Sequence, residues 1–256
     1  MYIAEIQFKM QDDEDDFQLH TQNLLGFWRT HGQVLGNEFP GAVINDNYHV
    51  FLMLPERDSL DNKNDSFYVQ DAFERWRAAN YEEPTIKVLG EEIESAEVCS
   101  CTSRSWLILY TTYISLESCL RCGDCFGAVP LYRIPPCCFI AHGELHDAIM
   151  SWKSDYQACD TLQMNCSTGE RFGLREMGQF DSSLSKRGRE ICGVVSQAMN
   201  APNYYYLHRY YGKSARQERS RKCPSCDGDW LLQEKLHDKF DFKCDKCKLL
   251  SNVAFS

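Results

Sequence analysis

Long apolar runs are missing from this chain of 256 residues. The longest, Val50 to Leu54 and Trp106 to Tyr110, fall far short of the roughly 20 residues a membrane-spanning helix needs, so no membrane partner is expected. An export signal is missing too. Met1-Tyr2-Ile3-Ala4-Glu5 has neither a basic start nor an apolar core, and an acidic run, Asp12 to Asp16, soon follows. Catalytic signatures are equally scarce: there is no glycine-rich phosphate loop, no nucleophile elbow and no isolated cysteine with histidine and asparagine companions. No internal repeat is evident. These absences argue against an enzyme and against a small-molecule substrate.

Basic charge is lacking over most of the length. Residues 213–256 hold ten Lys/Arg and seven Asp/Glu, a net of +3. Of the chain's 27 basic and 37 acidic side chains, that leaves 17 and 30 in residues 1–212, a net of −13. Such a body repels phosphate backbones and suits a basic partner, so any nucleic-acid contact falls to the tail.

Cysteine, by contrast, is plentiful. Fourteen thiols without an export signal indicate a reducing, cytoplasmic setting in which thiols bind metal or lie buried. Cys223-Pro-Ser-Cys226 and Cys244-Asp-Lys-Cys247 stand 17 residues apart. Each Cys-x2-Cys is a tight turn that converges two sulfurs, and two such turns across a hairpin complete a tetrahedral Zn²⁺ site. Asp229 to Lys235 runs away from the metal and Asp241 to Lys243 returns: a zinc ribbon. With all four positions taken by protein, such a site activates no water; it contributes folding energy instead.

Cys119, Cys122 and Cys125 follow at steps of three, with Cys99, Cys101, Cys137 and Cys138 within some twenty residues on either side. Cys122-Gly-Asp-Cys125 is a candidate second knuckle, drawing further ligands from Cys119, Cys137, Cys138 or His142. The alternative is a set of small, inert thiols in a strand-rich core. An enzyme built on this site ranks last. His142-Gly-Glu-Leu-His146 is not the metalloprotease helix motif, because Glu144 follows the first His by two residues rather than one; an exposed or capping pair is the simpler reading. In the tail, Arg216, Arg219, Arg221, Lys222, Lys243, Lys246 and Lys248 are the candidates for phosphate contacts.

The periodicities predict an α+β fold: mixed or antiparallel sheet layers with packed helices, plus a small C-terminal zinc ribbon. At 43% apolar, with five Trp, thirteen Tyr and fourteen Phe, the chain has ample material for a core. Strands are expected at Met1–Met10, Tyr48–Leu54, Thr85–Leu89 and Ser105–Tyr113. Helices are expected at Phe17–His31 and Phe67–Ala79, giving the order β-α-β-α-β-β. Beyond them come helices over 142–162 and from Asp181 to Met199, then a strand over Asn203–Tyr211. The division implied is residues 1–115, a central section 116–212 with a cysteine-rich start, a flexible basic linker 213–222, and the ribbon 223–256.

Cys122 to Pro135 together with Ser182 to Glu190, Tyr204 to Leu207 and the closing ribbon resemble an uncharacterised bacterial family of zinc-ribbon-containing proteins to which nucleic-acid binding is ascribed. The resemblance covers most of the length. It implies zinc at Cys223, Cys226, Cys244 and Cys247. The expectation is therefore a non-enzymatic zinc-ribbon protein engaging nucleic acid through its tail. The alternative is an acidic inhibitor or immunity protein neutralising a toxin or other basic protein through its body.

Overall fold

A computed structural model describes residues 1–11, 14–93, 97–135, 139–140 and 143–254. The architecture is α+β, in two compact units.

The first unit comprises residues 1–98, 116–118 and 128–136. It contains β1 (Tyr2–Lys9), α1 (Glu14–Thr30), β2 (Gly41–Ile44), β3 (Asn47–Leu54), α2 (Phe67–Ala78) and β4 (Thr85–Glu91). The sheet order is β2-β3-β1-β4 with every neighbour antiparallel. This is the split βαββαβ arrangement of ferredoxin-like folds. Alternation builds the buried face: Ala4, Ile6 and Phe8 of β1 lie against Val50, Leu52 and Leu54 of β3. Trp28 of α1 and Trp76 of α2 close over it, and the Phe8 and Trp76 rings stand 5.5 Å apart. Ser66 caps α2 by accepting the Val69 N–H.

The order differs from the expected β-α-β-α-β-β because β2 intervenes. This edge strand is four residues long and exposed throughout, so it carries no alternating burial pattern. Its trace is the Asn45-Asp46 turn, where both residues have positive φ (49° and 62°), as a two-residue hairpin of the primed kind requires.

The second unit holds residues 99–115, 119–127 and 137–256. Its elements are β5 (Leu107–Leu109), β6 (Leu120–Cys122), the two-residue pair β7 (Phe139–Ile140) and β8 (Gly143–Glu144), α3 (Leu145–Asn165), α4 (Glu170–Gly178), α5 (Ser183–Ala198), β9 (Asn203–Leu207), α6 (Ala215–Arg219), β10 (Leu231–Leu236), β11 (Phe240–Cys244) and β12 (Leu249–Ser251). One mixed sheet runs β10-β11-β12-β9-β5-β6, with β9 parallel to both β12 and β5. β9 is buried along its whole length, as a central parallel strand should be. α5 approaches it at Gly188, where a Cβ would stand 2.0 Å from the Tyr205 ring. On the opposite face Ile108, Tyr204, Tyr206, Phe240 and Leu250 form one cluster, which mixes body and ribbon residues.

The ribbon thus belongs to the same sheet as the central section, and the compact units divide the chain elsewhere than the sequence-based boundaries do. The expected flexible linker is also anchored. α6 lies within it, and buried Glu218 takes Arg209 in a two-point pair (2.7 and 3.1 Å) with Arg221 Nε 3.0 Å away. Burial works to raise the Glu218 pKa, but the hydrogen bond from Arg209 and the charge of Arg221 hold it below the usual range.

Candidate metal centres

Two cysteine quartets are assembled in the second unit. In each, the four sulfurs lie within 4.8 Å of one another. Either quartet can hold a metal ion.

The first is Cys223, Cys226, Cys244 and Cys247, as the spacing predicts. Cys223 donates its N–H to Gly228 O (3.0 Å) and its carbonyl accepts from Asp227 N (2.9 Å). Asp227 takes φ 56° to close the turn. The return turn follows β11 directly, closing at Lys248 with φ 55° before β12 begins. The Gly228 N–H draws the Cys226 thiol down to about 7, while burial pushes Cys244 up to about 12. Loading such a quartet with a cation releases protons.

The second quartet is Cys99, Cys101, Cys122 and Cys125. Its turn repeats the first bond for bond. Cys122 N donates to Gly127 O (2.9 Å), Phe126 N donates to Cys122 O (2.8 Å), and Phe126 takes φ 64°. The shared sequence is Cys-x2-Cys-x-Gly, in Cys122–Gly127 and again in Cys223–Gly228. The glycine is required here: a Cβ on Gly127 would stand 2.8 Å from Cys99 Cα, so only glycine lets the Cys99-x-Cys101 segment approach. That segment is held by Arg104, whose Nε donates to Cys99 Sγ (3.2 Å), and by Asp124 accepting from Ser105 N (2.8 Å). Antiparallel pairing of β5 with β6, Leu107 opposite Cys122, brings the halves together.

Cys122 and Cys125 are therefore placed as expected, but their partners are not. Cys119 is not in the quartet. Just ahead of β6, it is fully buried near Lys153 and Cys192, with burial pushing its thiol up to about 11. Cys137, Cys138 and His142 lie outside the described residues. Cys99 and Cys101 complete the quartet and were not among the residues expected there; their signal was a Cys-x-Cys beside a repeated knuckle. Cys159 and Cys192 fit the inert-thiol reading, each with its pKa raised by burial. His146 is buried in the first turn of α3 rather than exposed.

The centres are tied to each other. His237, at the tip of the β10–β11 hairpin, donates a ring N–H to Gly123 O in the second knuckle (2.7 Å), and its ring stacks on Phe126 at 5.1 Å.

The basic tail residues do not form one surface. Arg221 is half-buried, donates to Asn252 O (2.6 Å) and covers Phe242 at 4.4 Å. Lys243, the next residue along β11, faces the opposite way over Trp106 and Tyr204 and pairs with Asp245 at 2.8 Å. Lys248 also sits over Tyr204, Lys222 pairs with Asp229 (2.6 Å), and Arg216, Arg219 and Lys246 are exposed. No helix among the described residues is long and apolar enough to cross a membrane.

Three family models match: a domain of unknown function (DUF8589) over residues 1–90, a second (DUF2310) over 101–208 and a third (DUF8594) over 212–256. None of these descriptions names zinc or nucleic acid. Among solved structures, a "putative antibiotic biosynthesis monooxygenase" from Deinococcus radiodurans aligns over 39% of this chain and 100% of its own, at 8% identity and a TM-score of 0.29, too distant to carry an argument. Two uncharacterized proteins of Haemophilus influenzae are similar in sequence. One is 36% identical over 66% of this chain and 82% of its own length; the other is 31% identical over 263 residues, 100% of this chain and 99% of its own. The chain belongs to the family of that full-length Haemophilus influenzae relative.

Proposed function

We propose that this is a non-enzymatic binding protein whose second unit is built around two structural zinc ions. The supporting observation is the pair of four-thiol quartets sharing one knuckle geometry. Four thiolates in tetrahedral reach suit Zn²⁺, with iron the other candidate for an all-sulfur site. Each quartet fills all four positions with protein and leaves none open for water or substrate, the arrangement of a structural rather than a catalytic centre.

Zinc also bears on the partner. A four-thiolate zinc centre carries a formal charge of −2, so two of them take the chain from −10 to −14, and residues 213–256 from +3 to +1. That leaves the tail little net charge for phosphates. Its basic side chains are dispersed and several are already paired. The charge therefore favours a basic protein partner, as in the inhibitor reading, over nucleic acid.

The test is capture of partners by the full chain from lysate with and without nuclease, followed by reconstitution from pure components. We expect a basic protein that survives nuclease and whose reconstituted complex weakens as salt rises. Recovery of nucleic acid, with every captured protein lost on nuclease treatment, would reverse the assignment.

A further inference from the structure

A cavity of about 360 Å³ opens in the second unit where the tip of the β10–β11 hairpin meets α3 and the ends of β5 and β9. That is the size of a small-molecule pocket. Its walls carry five tyrosines, Tyr110, Tyr113, Tyr156, Tyr206 and Tyr210. α3 supplies Tyr156, Asp160 and Gln163, spaced so that all three share one helix face.

Two of the polar side chains that α3 presents here have no protein partner among the described residues. Tyr156 is 3% exposed and Gln163 2%, yet neither side chain makes a hydrogen bond within the described residues. With no such partner, both side chains are free to meet whatever enters the cavity. Asp160 accepts the Tyr113 N–H (2.8 Å) through one oxygen and, among the described residues, has no cation within ion-pair distance. Burial alone raises its pKa, against the pull of that one hydrogen bond.

His208 adds an acceptor, as its proton positions show. Asn252 Nδ2 donates to Arg209 O and Val253 O, which makes Oδ1 the acceptor. Tyr206 donates its hydroxyl proton to that Oδ1 (2.8 Å). At 3.1 Å from the Tyr206 oxygen, His208 Nδ1 must then be the N–H donor. Its Nε2 is left with a lone pair, buried and without a partner among the described residues.

Tyrosine π-faces, an unpaired carboxylate, an imidazole lone pair and an amide oxygen have one preference in common: they attract positive charge bearing N–H groups. Two lysines also line the cavity, but each is turned elsewhere. Lys239 Nζ lies over the Phe126 ring at 5.6 Å, and Lys235 Nζ is 3.9 Å from Asp241. We propose that this cavity binds an organic cation, an ammonium or guanidinium group. The source is either a free amine or a Lys/Arg side chain inserted by a protein partner. The site stands independently of the partner proposed above, because a free amine would occupy it unaided.

Isothermal titration of the full chain with cadaverine, agmatine, Lys- and Arg-containing peptides and tetramethylammonium separates these cases. We expect one saturable site for a primary amine or guanidine, and weaker binding of tetramethylammonium, which has no N–H. Asp160→Asn should weaken binding at least about tenfold and Tyr156→Phe about fivefold. Neither variant should melt earlier. Tyr156→Phe removes only an unpartnered hydroxyl, and the amide oxygen that Asp160→Asn leaves in place can still accept the Tyr113 N–H. Binding of the free amines identifies a small-molecule source, and binding of peptides alone identifies a partner's side chain. The proposal is overturned if no amine, guanidine or peptide binds saturably at millimolar concentration, or if Asp160→Asn binds as tightly as the parent chain.

Discussion

Cys244→Ser is expected to cost the protein one metal ion and to unfold far more than the ribbon. Cys244 is the last residue of β11 and pairs with Leu249 of β12. β12 in turn pairs in parallel with Tyr205–Leu207 of β9, the central strand of the second unit. Phe240 and Leu250 of the ribbon share a cluster with Ile108, Tyr204 and Tyr206 of the body. A structural zinc site contributes on the order of 10 kcal/mol, as much as the whole net stability of a typical domain. Hydrogen exchange should therefore show protection lost in β9 and β5 as well as in β10–β12. The first unit, with its own core around Trp28 and Trp76, should keep its protection. Loss confined to residues 213–256 would mean that the ribbon folds as a separate body, contrary to the continuous sheet.

The second large effect is a contrast between neighbouring cysteines. Cys99→Ser and Cys101→Ser should each lower the metal content from two ions to one, whereas Cys119→Ser should leave it at two. Cys119 is 0% exposed and sits outside the quartet, so its replacement buries a hydroxyl among apolar groups at a cost of about 1–3 kcal/mol, with no ligand lost. Cys99 lies under the Arg104 guanidinium and against Gly127, and without its sulfur the 99–106 segment keeps the Asp124 bond to Ser105 but offers the quartet one thiolate fewer. Elemental analysis of the three variants decides the matter. Loss of an ion from Cys119→Ser, or retention of both in Cys99→Ser, would dismantle the second centre.

Local signals were readable in the sequence and non-local ones were not. The ribbon quartet is two turns across one hairpin, so spacing alone reveals it. α2 was expected at Phe67–Ala79 and runs Phe67–Ala78, because Val69, Ala72 and Trp76 give it an unbroken apolar face. α5 was marked by its Ser182 cap, which accepts the Ser185 N–H. α4 escaped notice because Gly173 and Gly178 interrupt it. Those glycines serve close approach: a Cβ on Gly173 would meet Cys159 O of α3 at 2.3 Å. The second quartet escaped because its halves meet through the non-local pairing of β5 with β6 and the contacts beside it, and one half is a Cys-x-Cys. The parallel pairing of β12 with β9, which makes ribbon and body one sheet, leaves no mark in local spacing. Tyr204-Tyr205-Tyr206 was expected only as part of a strand; that all three lie buried, covering it on both faces, follows from that pairing.

Mass spectrometry of the intact full-length protein under native conditions tests the two-centre structure most directly. We predict a mass above the 29.7 kDa polypeptide by two zinc ions, with all eight quartet cysteines resistant to alkylation until a chelator is added. A mass matching one ion or none, or quartet cysteines found joined as disulfides, would contradict it.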